Sequence, residues 1–271
     1  MLPTRKLPVR ATILSLLVML LALPARFIAA QNTETLLAEG MSAEHHDPAT
    51  ALLRFDAVLA ADPGNYQALW RGARALVDIG KQTPDTAKSA ARDSLYTRAE
   101  SYARRAVAAD SLGADGHYIL AAAIGRASLT KSKKERVRRA AEIRAEALRA
   151  LELDPAHDAA YHVLGRWNAE IMRLSGLTRF FARAFLGGAI FAQASWDGAV
   201  DNMEKAVAYN PGNIYHHLDL AEILVDVDRY AAAREQLRQV AELPAFDIMD
   251  PVYQADAATL LKRIEGRKDR S

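Results

Sequence analysis

The chain has 271 residues, no cysteine, 51% hydrophobic and 25% charged residues, and a formal net charge of +2. That composition supplies ample material for a core and carries no sign of general disorder. The lack of cysteine excludes disulfides, thiol catalysis and cysteine-ligated zinc, and the length allows one or two globular domains or a single solenoid.

Residues 1–30 read as an export signal. Arg5, Lys6 and Arg10 form a basic start, residues 11–23 an apolar run, Pro24 a break, and Ala29-Ala30 before Gln31-Asn32 a stretch of small residues suited to cleavage. The apolar run is shorter than a comfortable membrane span. A cleaved signal is therefore expected, with a retained N-terminal anchor as the alternative, and the expected location is periplasmic or envelope-associated. Arg5, Lys6, Arg10 and Arg26 have no acidic counterpart there, so residues 31–271 hold 31 basic against 33 acidic side chains, net −2. The isoelectric point of 8.8 belongs to the whole chain and gives no argument for nucleic-acid binding.

From residue 31 onward, small and apolar residues recur with the helical period. A ragged helix at about 33–43 is followed by Ala51, Phe55 and Val58 before Pro63. Ala68, Gly72 and Ala75 come next, then Ala99, Ala103 and Ala106, with Ser111 where other units have proline. His117, Leu120, Ala121 and Ile124 precede Ile143, Ala147, Ala150 and Pro155. Tyr161, Leu164, Gly165 and Asn168 precede Ala199, Met203, Ala206 and Pro211. His217, Leu220, Ala221 and Leu224 precede Ala233, Leu237, Val240 and Pro244. A helix stopped at Asp154-Pro155 and restarted as Tyr161-x-x-Leu164-Gly165-x-x-Asn168 is the junction of two tetratricopeptide (TPR) units.

The expected fold is all-α: one TPR-like right-handed superhelix of antiparallel helix pairs over residues 31–271, about five units with insertions. A C-terminal helix at about 250–264 covers the exposed end, as stacked repeats require. Two insertions, KQTPDTAKSAARD and SLTKSKKERV, are polar and read as exposed helix extensions or loops. The third, residues 174–193, is rich in Phe and Leu.

The C-terminal part, about residues 140–265, resembles the regulator of microtubule dynamics family of TPR-like proteins. The resemblance rests on LELDP, on Gly165-Arg166-Trp167 within YHVLGRWNAEI, on the hydrophobic insert with AFLG at 184–187, and on SWDGAVDNMEKAVAYNP. It implies a helical interaction scaffold without catalysis or cofactor, whose eukaryotic members are linked to microtubules and to mitochondrial or other membranes. The export signal and an Ala/Arg/Asp-rich make-up like that of a GC-rich bacterial gene set this chain apart. The fold and the scaffold role carry over; microtubule binding does not.

A TPR stack lines its concave face with one stripe of each first helix, and here that stripe yields a candidate peptide groove of Tyr66, Tyr118, His162, Arg166, Tyr215 and Glu222. Tyrosines join apolar area to a hydroxyl, and Arg166 offers a planar fork for a carboxylate. The competing reading pairs Arg166 internally, with Glu170 or a neighbouring carboxylate, and packs the tyrosines into the stack. The pairs His45-His46 and His216-His217 are not read as metal ligands, because neighbouring residues on a helix point about 100° apart. The basic run Lys131–Arg139 lacks stacking aromatics and reads as a solvated helix face rather than a nucleic-acid surface, with contact to anionic lipid the better alternative. In the insert, Phe180, Phe181, Phe185, Leu186 and Phe191 are expected to tuck against the stack, with Arg179 and Arg183 facing water. The alternative is peripheral membrane contact, which would make the protein a membrane-surface assembly factor. No G-x-S-x-G, H-E-x-x-H, P-loop or dinucleotide fingerprint is present, which leaves an unrecognised helical hydrolase or enzyme accessory subunit as the remaining alternative.

Overall fold

The computed structural model describes residues 32–84, 86–185 and 188–269, with side-chain positions given for all of these but 181–183 and 185. Residues 1–30, expected to be an export signal, and Leu186 therefore lie outside the described residues, as do the side chains of Phe181, Arg183 and Phe185.

Helix α1 covers 32–43. It is followed by α2 (Pro48–Ala61), α3 (Tyr66–Lys81), α4 (Ala90–Ala109), α5 (Ala114–Ala127), α6 (Lys133–Leu153), α7 (Asp158–Arg173), α8 (Gly176–Phe185), α9 (Trp196–Tyr209), α10 (Ile214–Asp226), α11 (Tyr230–Glu242) and α12 (Asp250–Ile264). Among the described residues there is no strand. The pairs α1/α2, α3/α4, α5/α6, α7/α9 and α10/α11 are the five units. Each first helix also packs on the preceding unit, and α12 closes the stack against α10 and α11.

Turn chemistry sets the helix starts. Asp47, Asn65, Ser89, Ser132, His157, Ser195 and Asn213 each accept a backbone N–H of the first turn they precede, which satisfies donors that a helix start leaves open. In the core, Ala51, Phe55, Val58, Ala99, Ala103, Ala106, Ala147, Ala150, Ala199, Met203, Ala206, Ala233 and Val240 are fully buried. Small side chains at these crossings let the paired helices approach closely.

The second unit starts one residue later than the spacing suggests. Asn65 caps α3 through Ala68 N–H just as His157 caps α7 through Ala160 N–H. Leu69, Ala73 and Leu76 therefore stand where Tyr161, Gly165 and Asn168 stand in the fourth unit, and all three are buried.

The polar insertions are helix extensions, but not entirely exposed ones. Arg139 is buried between α4 and α6, with its guanidinium on Glu100 and on Ser128 Oγ at 2.8 Å. Arg138 pairs with Glu135 on the outer face at 2.6 Å. The third insert divides. Phe191, in a 3-10 turn over Gly188–Gln193, is buried with Val137, Trp167 and Ile171. On α8, Leu177 and Phe180 are 67% and 62% exposed. Arg179 does not simply face water. It donates to the carbonyls of Met172 and Leu174 at 2.6 and 3.0 Å, because the last carbonyls of α7 lack helical partners.

Candidate interaction surface on the concave face

Three consecutive residues of α7 point at three different helices, as a step of about 100° per residue requires. A Cβ on Gly165 would lie 2.9 Å from Met203 Cε and 3.3 Å from the Ala199 carbonyl, so glycine is what lets α9 cross here. Arg166 Nη1 donates to both carboxylate oxygens of Asp219 on α10, at 2.9 and 3.0 Å. Trp167 donates its indole N–H to the Ala140 carbonyl of α6 at 2.8 Å. Asn168 follows, accepting the Ser195 N–H at 3.1 Å and so fixing the start of α9.

On the concave face, α7 and α10 form a ladder of opposite charges. Above Arg166–Asp219, Arg173 meets Asp226 at 2.7 Å, Glu170 at 2.7 Å and Glu222 at 3.9 Å. Burial, and then the Asp219 charge, pushes the Glu222 carboxyl up to about 7 despite Arg166 and Arg173. Burial alone would raise Asp219, but Arg166 and His162 hold it well below the usual carboxylate range.

The other candidate residues sit as follows. Tyr66 accepts the Gly116 N–H at 2.8 Å and fastens the start of α5 to α3; burial pushes its hydroxyl up to about 12. Tyr118 leans on the His157 ring with centroids 5.0 Å apart. His162 is buried, bonded to His216 and Asp219. Tyr215 stacks on Tyr253 of α12 at 4.6 Å and accepts from Arg126 at 3.3 Å. Thus Arg166, Tyr215, Glu222 and the buried His162 gather around Asp219, while Tyr118 stands against the start of α7 and Tyr66 between α3 and α5.

Sequence spacing missed the contribution of α3. The one-residue shift there puts Arg74, Asp78 and Lys81 on the concave stripe. Lys81 bonds Asp78 at 3.1 Å and lies 5.2 Å above the Tyr215 ring. Burial would lower its ammonium, but the Asp78 charge holds it raised. The Asn65 cap was the available signal for this register.

The two ends of the stack meet across this face. Ile248, between α11 and α12, donates its N–H to the His45 carbonyl between α1 and α2 at 2.8 Å. Phe246 packs on the rings of His45 and His46 at 4.5 and 5.4 Å. Arg74 reaches His45 at 3.1 Å and Asp247 at 3.6 Å. Residues 244–249 therefore form a strap that joins the last unit to the first.

The remaining histidines are structural. His117 and His217 each bond back to a carbonyl six residues earlier, Ser111 and Pro211, at 3.1 and 2.9 Å, and Tyr161 does the same to Pro155 at 3.2 Å. Among the described residues no group of three or more His, Asp or Glu side chains is arranged to hold a metal. Nor, among them, is any helix long and apolar enough to cross a membrane.

The model of the family described as regulator of microtubule dynamics protein 1-3 matches residues 31–265. The match takes in the N-terminal helices as well as the motif-bearing C-terminal part. No curated protein matches the chain in sequence. Among solved structures, the TPR protein TTC0263 of Thermus thermophilus superposes with a TM-score of 0.59 at 18% identity, covering 84% of this chain and 99% of that one. PilF of Pseudomonas aeruginosa gives 0.51 at 15% identity, covering 87% and 93%. At such identities the likeness is one of fold.

Proposed function

The chain belongs to the regulator of microtubule dynamics protein 1-3 family, and from that premise we propose that it is an exported, non-catalytic scaffold that holds a protein or peptide segment against its concave face. Glu222 carries this reading. It is a partly exposed carboxyl, 3.9 Å from Arg173 and pushed up to about 7 by burial and Asp219. A basic group brought closer by a ligand would favour its ionised form beyond what Arg173 does. Arg166 and Arg173 fix the carboxylates beside it, Asp219 and Asp226.

Arrayed peptides probed with the purified chain test the proposal. Wild type should retain a set enriched in lysine or arginine, with affinity falling as pH drops below about 7, where Glu222 takes up a proton. Glu222→Gln should lose that set and its pH dependence. Retention of the same peptides by both chains would contradict it.

A second reading is favoured by Leu174, Leu177 and Phe180, which are exposed three residues apart on and just before α8. Leu177 and Phe180, three apart within α8, lie near one face of it, suited to peripheral contact with a membrane surface. Flotation with liposomes, lost on Leu177→Asp, would support it; failure of wild type to float would remove it.

A further inference from the structure

Asp158, His216, His162, Asp219 and Arg166 make one chain of contacts across the α7–α10 interface. His216 Nε2 lies 3.0 Å from Asp158 Oδ2. The Nδ1 atoms of His216 and His162 face each other at 2.8 Å. His162 Nε2 lies 3.0 Å from Asp219 Oδ2, and Arg166 closes the chain on Asp219. Both histidines are buried, at 7% and 3% exposure for His162 and His216.

Each of the three imidazole contacts needs one N–H, because an ionised carboxylate only accepts and a nitrogen–nitrogen contact needs one donor. Two neutral imidazoles provide two N–H groups. The arrangement therefore holds a third. We propose that the His162–His216 pair binds one extra proton and acts as a pH-sensitive clasp between α7 and α10: with the proton all three contacts are made, and without it one is lost.

The charges bonded directly to the pair and to Asp219 are consistent with the same proton. Asp158 and Asp219 bring two negative charges and Arg166 one positive, so a protonated pair leaves the cluster neutral. Burial raises Asp158, but the bonds from His216 and Asn210 outweigh it and keep its carboxyl below the usual range. Among the groups around the pair are Lys81 of α3, 5.2 Å above the Tyr215 ring, and Arg126 of α5, 3.3 Å from its hydroxyl, with that ring 4.6 Å from His162. Asp158 and Arg166 belong to α7, and Asp219, Glu222 and Tyr215 to α10. Tyr118 of α5 faces Asp158, Tyr253 of α12 stacks on Tyr215, and Asn210, just after α9, donates to Asp158 at 2.8 Å. Burial raises the Tyr118 and Tyr253 hydroxyls, so neither competes for the proton.

The proton resides on His216. Burial pushes His162 down to about 4 against the pull of Asp219, with His216 and Arg166 opposing its charge. His162 is thus the neutral tautomer, donating from Nε2 to Asp219 and accepting at Nδ1. Loss of the proton leaves a lone pair facing either a carboxylate or another lone pair, and α7 and α10 loosen where they carry the charge ladder.

Imidazole nitrogen NMR on the 15N-labelled full chain, from about pH 5 to about pH 8, tests this. His162 should remain a neutral Nε2–H imidazole throughout. His216 should carry protons on both nitrogens at the acid end and lose one in a single transition that moves the amide signals of α7 and α10 together. A His216 that is neutral at the acid end, or a transition without that amide response, would overturn the proposal. The slope of melting temperature against pH should differ between wild type and His216→Gln, which can donate to Asp158 but cannot take up a proton. Equal slopes in the two chains would overturn it as well, and the wild-type spectra decide the matter if the variant does not fold.

Discussion

At the scale of single residues, the Gly165-Arg166-Trp167 run shows what a motif can and cannot disclose. Its helical placement and small-residue crossing were legible, because period and side-chain size are local properties. One partner of Arg166 was legible too, Glu170 one turn on at 3.4 Å; the buried one was not, because Asp219 lies 53 residues away and spacing along one helix does not reach it. Trp167 is buried against α6 and Phe191, so Trp167→Ala should cost about 3–5 kcal/mol by the loss of a large aromatic from a packed site. Urea midpoints at constant slope would measure it. Tyr66→Phe removes the acceptor of the Gly116 N–H and should cost about 1 kcal/mol. Glu222 gives a prediction with a sign. Its carboxyl titrates near 7 in the folded chain and near 4.3 when unfolded, so its contribution to stability declines as pH rises between those values. Melting curves of Glu222→Gln should lack that decline, and the variant should gain on wild type most above about pH 7.

At the scale of elements, composition settles the class of each segment but not its register. The polar insertions of the second and third units are helical, and their hydrophilicity suggested exposure. Arg139 escapes that pattern because Glu100, on the neighbouring helix α4, neutralises it inside the interface. The phase of α3 slipped by one residue for a similar reason, since apolar residues occupy adjacent positions at Ala68, Leu69, Trp70, Gly72 and Ala73 and only the Asn65 cap fixes the start. The hydrophobic insert could not be read as one piece, because Phe and Leu content does not say which side chain finds a pocket. Phe191→Ala should cost about 3–5 kcal/mol, whereas Leu177→Gln on α8 should stay within about 0.5 kcal/mol of wild type.

At the scale of the whole molecule, the superhelix and its capping helix follow from five recurrences of one pattern, whereas its closure does not. The strap at 244–249 meets the α1–α2 turn through Ile248, Phe246 and Asp247, contacts about 200 residues apart in sequence for which no repeat pattern provides a signal. Closure brings α3, α5, α7 and α12 onto one residue of α10, with Lys81, Arg126, His162 and Tyr253 around Tyr215. Arg74→Ala removes the bonds to His45 and Asp247 and should enlarge the radius of gyration in small-angle scattering without changing the helical circular dichroism. The concave face is the proposed working surface. Hydrogen exchange of the full chain, with and without a basic peptide retained on the array, tests it most directly. The account predicts new protection on α7 and α10 around Arg166 and Glu222, together with altered exchange in the 244–249 strap. Protection confined to α8 or to the outer helices α4 and α6, with α7 and α10 unchanged, would contradict it.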